Sequence, residues 1–313
     1  MLQIRFFEGK IGLIEIWEGI QPQQYALDRF IELNGGPEAP ATFQDQTADL
    51  IPGLSGLTAA WGDFNNDGYA DLLDGKTLWK NNAGAGFSAV TDGLEPGIWG
   101  DCNNDGWLDL FHWGNWRGIR RNVGGSSFAV IPDPGLPAVE IRGASWGDWD
   151  GDGYLDLYVG GYQHYDNYEP DIILENTGGT SFFTRWQESE NLAPGRGVTS
   201  CDFDRDGDLD IYVSNYRLRA NMLWRNNGVG GFQDVAASYG ATGGAAHTIG
   251  SAWGDLDNDG YFDLFVGNFA HPGQPESKFL KNRGPSGSYH FLDRSSAAGL
   301  HFQESYASPT LGD

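Results

Sequence analysis

The sequence contains few of the residues that mark a disulfide-stabilised, membrane-spanning or nucleic-acid-binding protein. Its 313 residues include only two cysteines, Cys102 and Cys201, which excludes a disulfide framework, and we expect both to be small buried residues. No apolar run is long enough to cross a bilayer, so we expect no membrane insertion. The 19 basic residues against 43 acidic ones give a formal charge of −24, which argues against nucleic acid and anionic membranes as partners.

Common catalytic motifs are also missing. There is no H-E-x-x-H zinc motif, no G-x-S-x-G nucleophile motif and no G-x-x-x-x-G-K phosphate-binding loop. Two histidine arrangements, His164 beside Asp166 and His112 near His271, could form a site, but isolated histidines in loops are usually only polar. The sequence therefore predicts no catalytic residues.

What the sequence does have is a repeated acidic string. The copy WGDLDNDGYFDL begins at Trp253, and variants begin at Trp61, Trp99, Trp146 and Ser200. Each copy reads D-x-[DN]-x-D-G-x-x-D, and the copies follow one another at intervals of 38 to 54 residues. A single copy would indicate only a turn. Five copies with the same fourth acid, three positions after the glycine, indicate one property repeated through the chain.

The spacing within each copy favours a calcium site. Short oxygen side chains at alternate positions of a tight loop converge on one point, and the glycine at the sixth position permits the sharp turn. Ca²⁺ binds about six to eight oxygens and tolerates irregular geometry. We predict about five Ca²⁺ sites, each with side-chain ligands at positions one, three, five and nine and a backbone carbonyl at position seven. The predicted side-chain ligands are Asp63, Asn65, Asp67, Asp71, Asp101, Asn103, Asp105, Asp109, Asp148, Asp150, Asp152, Asp156, Asp202, Asp204, Asp206, Asp210, Asp255, Asp257, Asp259 and Asp263.

The predicted sites are not equal in charge. Asn65 and Asn103 replace one carboxylate in the first two copies, whereas the other three copies carry four carboxylates each. Because affinity in such loops rises with ligand charge, we predict weaker binding at the first two sites. The sites are not EF-hands, which need a bidentate glutamate at position twelve. That position holds Asp74, His112, Val159, Val213 and Val266 in the five copies.

Each acidic string lies within a unit of four short strands. Strand A leads into the string, strand B leaves it, strand C is a segment such as LWKN from Leu78, and strand D follows an aromatic residue such as Phe87. Gly/Asn turns between apolar segments are typical of hairpins, and units of this length match the blades of a β-propeller. We predict an all-β fold, a β-propeller of four-stranded antiparallel blades in one domain. The tryptophans expected between blades are Trp61, Trp99, Trp146 and Trp253.

The ends of the chain decide the predicted number of blades. Residues 1–47 could form a first blade without metal, and five calcium-binding blades follow. The segment PTLGD places Asp313 at the leading position of a further copy. We interpret the chain as a fragment of a seven-bladed propeller that lacks most of its last blade. The alternative is a closed six-bladed ring in which the C-terminal strand supplements the first blade.

The predicted topology separates the acidic strings from a candidate recognition surface. In an antiparallel blade the A–B and C–D loops share one face, and the B–C and D–A loops share the other. The acidic strings are A–B loops, so a ligand is expected on the opposite face. The B–C loops there are rich in aromatic and arginine side chains, which are common at protein interfaces and can stack on sugars. The candidate ligand-binding residues are Trp113, Trp116, Tyr162, His164, Tyr165, Tyr216, Arg217, Arg219, Phe269 and His271.

The acidic string, followed by segments such as LWRNNGVGGFQDVAASYG from Leu223, resembles the FG-GAP/VCBS repeats of integrin α-subunit propellers, and above all the bacterial VCBS and cartilage acidic protein groups. The resemblance covers about residues 43–313, although Ser200 and Cys201 replace the usual Trp-Gly in the fourth copy. It implies a calcium-stabilised propeller that serves adhesion or ligand recognition.

The resemblance also implies where such a chain acts and on what. We expect an extracellular, cell-surface or periplasmic, noncatalytic module that binds a protein or a glycan. A polysaccharide-degrading enzyme is the alternative, because some carbohydrate-active enzymes use similar propellers. The N-terminal segment MLQIRFFEGK lacks the features of a signal peptide.

Overall fold

The fold is known from a computed structural model of the chain. It describes residues 46–54, 58–91, 94–114, 117–131, 136, 140–164, 167–189, 192–269, 271–299 and 309. The predicted first blade at residues 1–47 and the further copy at Asp313 therefore lie almost entirely outside the described residues. None of the described helices has the length and hydrophobicity that a bilayer span requires.

The described residues form five four-stranded sheets, and each is antiparallel throughout. Sheet 1 contains β1 (Ala59–Gly62), β2 (Asp71–Asp74), β3 (Thr77–Asn81) and β4 (Phe87–Thr91). Sheet 2 contains β5 (Gly97–Gly100), β6 (Asp109–His112), β7 (Gly118–Asn122) and β8 (Phe128–Val130). Sheet 3 contains β9 (Ile141–Gly147), β10 (Asp156–Gly161), β13 (Ile172–Thr177) and β14 (Ser181–Gln187). Sheet 4 contains β15 (Gly195–Cys201), β16 (Asp210–Asn215), β17 (Met222–Asn226) and β18 (Phe232–Asp234). Sheet 5 contains β19 (Thr248–Gly254), β20 (Asp263–Asn268), β21 (Lys278–Asn282) and β22 (Phe291–Asp293).

Helical structure in the described residues is limited to short turns. The helix α1 spans Thr47–Leu50, α2 spans Ala236–Tyr239, and a 3₁₀ turn spans Pro285–Gly287. A small two-stranded hairpin, β11 (Gln163–His164) and β12 (Asn167–Tyr168), lies in the connection between β10 and β13. The sequence indicates only a plain B–C loop at this connection.

The acidic strings connect the first two strands of every sheet, as predicted. In sheet 5 the last residue of β19, Gly254, pairs with Asp263, the first residue of β20, and the loop between them contains the other acids of that string. Gly62 pairs with Asp71 in the same way in sheet 1. The first and ninth aspartates of a string therefore lie at opposite ends of one tight loop.

The core lies between adjacent sheets, and strand B of sheets 2, 3 and 4 contributes to two interfaces. Because successive side chains of a strand point to opposite faces, Leu157 and Val159 of β10 pack in the cluster shared with sheet 2, while Tyr158 packs in the cluster shared with sheet 4. Ile211 and Tyr212 of β16 divide in the same way between sheets 3 and 5. A strand that is buried on both faces has apolar side chains at successive positions, and the sequences of β10 and β16 follow this pattern.

The first strands of successive sheets lie side by side, which is the packing of a β-propeller. β9 packs on β15, and β15 packs on β19. A Cβ atom added to Gly143 in β9 would overlap the carbonyl oxygen of Arg196 in β15. One added to Gly197 would lie 2.8 Å from Cα of Gly250 in β19. Glycine at these positions permits the close approach of neighbouring backbones. The all-β fold with four-stranded blades is thus confirmed, while the number of blades remains a prediction.

Three of the four tryptophans that precede the acidic loops lie between sheets, as predicted. The indole nitrogen of Trp99 donates to the carbonyl of Ala60 at 3.2 Å, and that of Trp253 donates to Thr199 Oγ1 at 3.1 Å. Trp146 bonds the carbonyl of Ile98 in sheet 2. Trp61, by contrast, is 40% exposed and packs on Phe87 of its own sheet. Both cysteines are buried and free.

Candidate metal loops and ligand-binding rim

The acidic loops, numbered 1 to 5 with their sheets, share one backbone conformation. In loop 4 the carboxylate of Asp202 accepts hydrogen bonds from the backbone N–H groups of Asp206 and Gly207, each at 3.1 Å. The first aspartate of every other loop accepts the same pair of bonds. The glycines at position six have φ between 85° and 99°, which other residues rarely adopt. The loop fold therefore turns the acids at positions one, three and five towards one another.

Three loops bring their first three carboxylates together. One oxygen from each of three residues lies within 4.8 Å of the others in loops 3, 4 and 5. The triads are Asp148, Asp150 and Asp152; Asp202, Asp204 and Asp206; and Asp255, Asp257 and Asp259. Asp204 in loop 4 is only 6% exposed. Its Oδ1 atom is buried and has no hydrogen-bond partner among the described residues. An oxygen-only donor set with such an orphaned atom fits Ca²⁺, which takes carboxylate ligands.

Loops 1 and 2 gather fewer charges because asparagine occupies position three. The Oδ1 atom of Asn65 accepts the N–H of Asp67 at 3.0 Å, and its Nδ2 donates to Asp71. In loop 2 the Nδ2 of Asn103 donates to Asp105 at 2.9 Å. These amides still offer an oxygen for a metal ion but add no negative charge. The predicted lower affinity of the first two sites therefore remains a prediction with a clear structural basis.

The ninth-position aspartates lie beneath the loops as buried anchors. Oδ1 of Asp210 accepts the N–H of Asn226 at 2.9 Å, and its Oδ2 accepts the N–H of Phe203 at 3.3 Å. The other four make the equivalent two bonds, and all five are at most 1% exposed. They are not members of the described triads. Their assignment as metal ligands stays a prediction.

Burial and neighbouring carboxylates raise the pKa of these anchors. Desolvation is the largest cause, and the other acids of the loop add to it. The pKa rises to about 7 for Asp156, about 8 for Asp210 and about 6 for Asp263. A carboxylate that is costly to ionise in this setting becomes easier to ionise when a divalent cation lies nearby.

Basic side chains reach four of the five loops, a feature that the sequence analysis missed. Arg225 of β17 pairs with Asp204 at 2.6 Å and with Asp206, and Lys281 of β21 pairs with Asp257 and Asp259. Lys80 and Arg185 reach loops 1 and 3 in the same manner. The sequence signal for Arg225 and Lys80 was their position directly before the asparagine in the segments LWRN and LWKN.

In sheets 2 to 5 an asparagine at the end of strand C links the acidic loop to the loop of the sheet before it, and this residue was missed too. The Nδ2 of Asn226 donates to the carbonyl of Trp149 in loop 3 at 2.9 Å. The same bond joins Asn122 to Phe64, Asn176 to Cys102 and Asn282 to Phe203. Because the backbone N–H of each asparagine also bonds the ninth aspartate, one residue connects two successive loops.

The opposite ends of sheets 3 and 4 carry what we call the arginine–tyrosine cluster. The guanidinium carbon of Arg196 lies 4.1 Å from the ring centre of Tyr216 and 5.4 Å from that of Tyr162. Arg142 lies 5.4 Å from the Tyr162 ring, and Arg219 lies 5.2 Å from that of Tyr168. The members of the cluster are Arg142, Tyr162, Tyr168, Arg196, Tyr216, Arg217 and Arg219. Although burial raises the pKa of Tyr162, hydrogen bonds from Arg196 and Arg217 bring it below its usual value.

Histidines of sheet 5 extend the cluster. The ring of His247 lies 4.3 Å from that of Tyr216 and 4.4 Å from that of His271, which in turn contacts Phe269 at 5.2 Å. Burial, followed by the charges of His271, Arg196 and Arg217, lowers the pKa of His247. The imidazole of His247 therefore favours the neutral form.

The structure brings together most of the described candidate ligand-binding residues. Tyr162, Tyr216, Arg217 and Arg219 belong to the cluster, and Phe269 and His271 adjoin it. Trp113 instead packs on Phe111 against the core between sheets 2 and 3. Trp116, Tyr165 and the side chain of His164 lie outside the described residues. The role of every residue in this set as a ligand contact remains a prediction.

Two histidine arrangements from the sequence analysis have different outcomes. His112 is buried at the end of β6, where Arg120 donates to its Nε2 at 3.2 Å, whereas His271 contacts His247. The structure thus gives these two histidines separate partners. His164 and Asp166 cannot be compared, because neither side chain belongs to the described part of the chain.

Comparison with known proteins agrees with the sequence motifs. The model of the FG-GAP-like repeat family matches residues 101–159 and 202–266. Cartilage acidic protein 1 of Xenopus tropicalis and that of Mus musculus are each 27% identical over 117 residues, which cover 36% of this chain and 18% of each relative. The match thus spans less than a fifth of the length of these relatives.

Two solved structures resemble the fold at low sequence identity. An Agrocybe aegerita lectin that recognises non-reducing terminal N-acetylglucosamine is 20% identical, with a TM-score of 0.46 over 75% of this chain and 64% of that one. The V. cholerae biofilm matrix protein Bap1 is 14% identical, with a TM-score of 0.43 over 72% of this chain and 37% of that one. What the family model establishes is that residues 101–159 and 202–266 of this all-β chain are FG-GAP-like repeats.

Proposed function

We propose that the chain is a noncatalytic binding module, stabilised by Ca²⁺ in its acidic loops, that recognises a glycan at the end of the sheets opposite those loops. The observation that carries the proposal is the arginine–tyrosine cluster, in which Arg196 lies over the rings of both Tyr162 and Tyr216. Aromatic rings beside fixed hydrogen-bond donors are the features with which proteins bind ligands rich in hydroxyl groups. A protein ligand is the second possibility to be tested.

Calcium has a structural role in this proposal. Loops 3, 4 and 5 each gather three carboxylates within 4.8 Å, and like charges at this separation repel. A bound Ca²⁺ removes that repulsion and holds the first two strands of the sheet at a fixed spacing. Loops of this kind fill well where calcium is millimolar. We therefore place the chain outside the cell, at the cell surface or in the periplasm.

The test is a binding screen with an activity arm, on the full chain saturated with Ca²⁺. The variant Tyr216→Ala removes a ring of the cluster. The control Tyr261→Ala removes a ring that also lies under an arginine, Arg205 at 4.9 Å, but in loop 5 on the opposite face. We expect a glycan that binds wild type and Tyr261→Ala and loses affinity for Tyr216→Ala. Failure to bind any glycan would refute the proposal.

The same samples separate the proposal from its alternatives. Release of shortened chains from a polysaccharide by the wild type would favour a carbohydrate-active enzyme. Binding only to proteins, with the same dependence on Tyr216, would favour an adhesion module directed at a protein. Binding without turnover on a glycan supports the proposed function.

A further inference from the structure

Three arginines of the cluster lack the partners that other cations of this chain have. Lys76, Arg185 and Lys278 pair with carboxylates, as do Arg225 and Lys281 beside the acidic loops. Arg196, Arg217 and Arg219 form no ion pair with a carboxylate among the described residues, and their contacts are tyrosine rings and hydroxyls. Their positive charge is therefore not neutralised by a carboxylate in the described part of the chain.

The guanidinium groups are held in place by the rings, which leaves hydrogen-bond donors unused. Arg196 lies 4.1 Å from the ring centre of Tyr216, and its Nη2 is 3.4 Å from the hydroxyl of Tyr162. Its Nε atom is buried with no hydrogen-bond partner among the described residues. A buried donor without an acceptor is uncommon in proteins. A planar guanidinium with free N–H groups is suited to bidentate bonds with carboxylate or sulfate.

The turn that presents Arg217 is itself strained. Arg217 and Leu218 have φ of 55° and 59°, although neither is glycine or asparagine. The N–H of Leu218 donates at 2.9 Å to the carbonyl of Ala246, which lies just before β19 of the next sheet, and Arg219 forms a bridge with the same residue. Two successive side chains in the left-handed region are costly, and such strain is found most often at functional sites. The neighbouring sheet thus holds Arg217 in a position that its own turn does not favour.

We infer that the arginine–tyrosine cluster binds the anionic groups, carboxylate or sulfate, of an acidic glycan. The inference rests on the proposed function and names the ligand class of the same surface. The three cations without carboxylate partners belong to sheet 4, with Arg196 near the start of strand A and Arg217 and Arg219 after strand B. A polymer with an anionic group on successive sugars can pair with more than one of these cations at once. The half-buried rings of Tyr168 and His271 beside the cations provide surfaces for the sugars themselves.

The alternative is that the arginines only support the packing of the sheets. Arg205 provides the matched comparison, because it lies 4.9 Å from the ring of Tyr261 but belongs to loop 4 on the acidic face. Removing its charge therefore removes an arginine–tyrosine contact without touching the proposed site. The variants are Arg196→Gln and Arg217→Gln in the cluster and Arg205→Gln as the control.

The experiment measures binding of the full, Ca²⁺-saturated chain to oligosaccharides of equal length. The set contains neutral, uronic-acid and sulfated chains, with poly-glutamate as an acidic peptide. We expect binding to one or both acidic glycans and at least about tenfold weaker binding to the neutral one. Arg196→Gln and Arg217→Gln should each lose about tenfold or more in affinity, Arg205→Gln less than about twofold, and added NaCl should weaken wild-type binding. The uronic-acid and sulfated arms identify which anion is preferred.

Other results would separate the inference from the proposed function. Equal affinity for neutral and acidic glycans, unchanged in Arg217→Gln but lost in Tyr216→Ala, would overturn the anionic specificity and leave the glycan-binding function standing. Binding of poly-glutamate alone would overturn both and indicate an acidic peptide ligand. Thermal unfolding of each variant with Ca²⁺ present identifies a misfolded sample. Arg217→Lys, which keeps the charge but not the planar fork, should retain part of the affinity if the site is as inferred.

Discussion

At the scale of the residue, the asparagine that ends strand C does more than shape a turn. Asn226 accepts the N–H of Gly228 within its own turn, and its Nδ2 donates to the carbonyl of Trp149 in the preceding sheet. Its backbone N–H bonds Asp210. Asn226 is only 2% exposed, and its backbone N–H, its Nδ2 and its Oδ1 are all hydrogen-bonded. This one residue therefore connects two acidic loops through hydrogen bonds.

We expect Asn226→Ala to lower the free energy of unfolding by about 1–3 kcal/mol, because the buried carbonyl of Trp149 loses its donor. Asn81→Ala is the matched control. Asn81 accepts the N–H of Gly84 in the equivalent turn, but its Nδ2 donates to Ala70 of the same sheet, at an exposed position. The free energy of unfolding should therefore fall less in Asn81→Ala than in Asn226→Ala. Equal losses in urea-induced unfolding would show that only the turn matters.

A buried carboxyl on the other side of the molecule should make stability depend on pH. Asp171, 3% exposed, accepts the hydroxyl of Tyr158 at 2.5 Å and the N–H of Gly161 at 2.8 Å. Burial, with a contribution from Glu188, raises the pKa of Asp171 to about 7. The folded chain therefore holds one more proton than the unfolded chain between pH about 4 and 7, so this group costs stability as pH rises through that window.

Asp171→Asn should reduce this pH dependence. An amide stays neutral, and its oxygen can still accept the N–H of Gly161, while its Nδ2 can donate to the hydroxyl of Tyr158, which reverses the direction of that bond. The unfolding free energy of the variant should fall less between pH 5 and 7 than that of the wild type, by up to about 1.4 kcal/mol per pH unit. Asp49→Asn, at an exposed position on α1, should leave the slope unchanged. Urea unfolding at fixed free calcium measures both.

At the scale of the element, four of the five acidic loops are paired with a cation from their own sheet. Lys281 of β21 reaches both Asp257 and Asp259 in loop 5. A divalent ion within the same triad must share these oxygens with the ammonium group or displace it. The strand that supports the loop therefore sets the affinity of the loop for calcium.

We expect Lys281→Met to bind Ca²⁺ more tightly at loop 5, by about three- to tenfold, because a competing positive charge is removed. The same variant should be less stable than the wild type when calcium is chelated. Lys278→Met is the control, since Lys278 pairs with Asp293 at the far end of the same strand. Calorimetric titration of chelated samples measures the change. Weaker binding in Lys281→Met would mean that the ammonium group assists the site.

The elements also show what could be predicted from the sequence. The acidic loops and the order of four strands were correct because both depend on local patterns of turn residues and apolar segments. Arg142, Arg196 and His247 were missed among the candidate ligand-binding residues because they precede or begin strand A, far along the chain from the B–C loops. Only the packing of one sheet on the next brings them to Tyr162 and Tyr216. The strained turn at Arg217 left no signal, since its residues are not typical of that conformation.

At the scale of the whole molecule, negative charge and calcium are coupled. The formal charge of −24 includes the acids of five loops that lie on one face of successive sheets. An ion that binds only the folded chain stabilises it by about 2.7 kcal/mol per site at a hundredfold excess over its Kd. Several sites together would match the stability of an ordinary domain. We therefore expect removal of calcium to lower the stability of the sheets, although their shared hydrophobic clusters and asparagine bonds remain.

Chelation should lower the unfolding temperature, and the effect should be larger at high pH. Asp156, Asp210 and Asp263, with pKa values raised to about 7, 8 and 6, bind more protons in the folded than in the unfolded calcium-free chain between pH about 4 and 8. The calcium-free chain should lose stability as pH rises through that window, whereas Ca²⁺ favours the ionised form. The difference in unfolding temperature between calcium-loaded and chelated samples should thus grow from pH 5 to pH 8. Added NaCl should recover part of the loss by screening the loop charges, and Mg²⁺, which demands a tighter octahedral shell, should recover less than Ca²⁺. A difference that is independent of pH would separate these buried carboxyls from the metal sites and leave only the triads of loops 3, 4 and 5 as ligands.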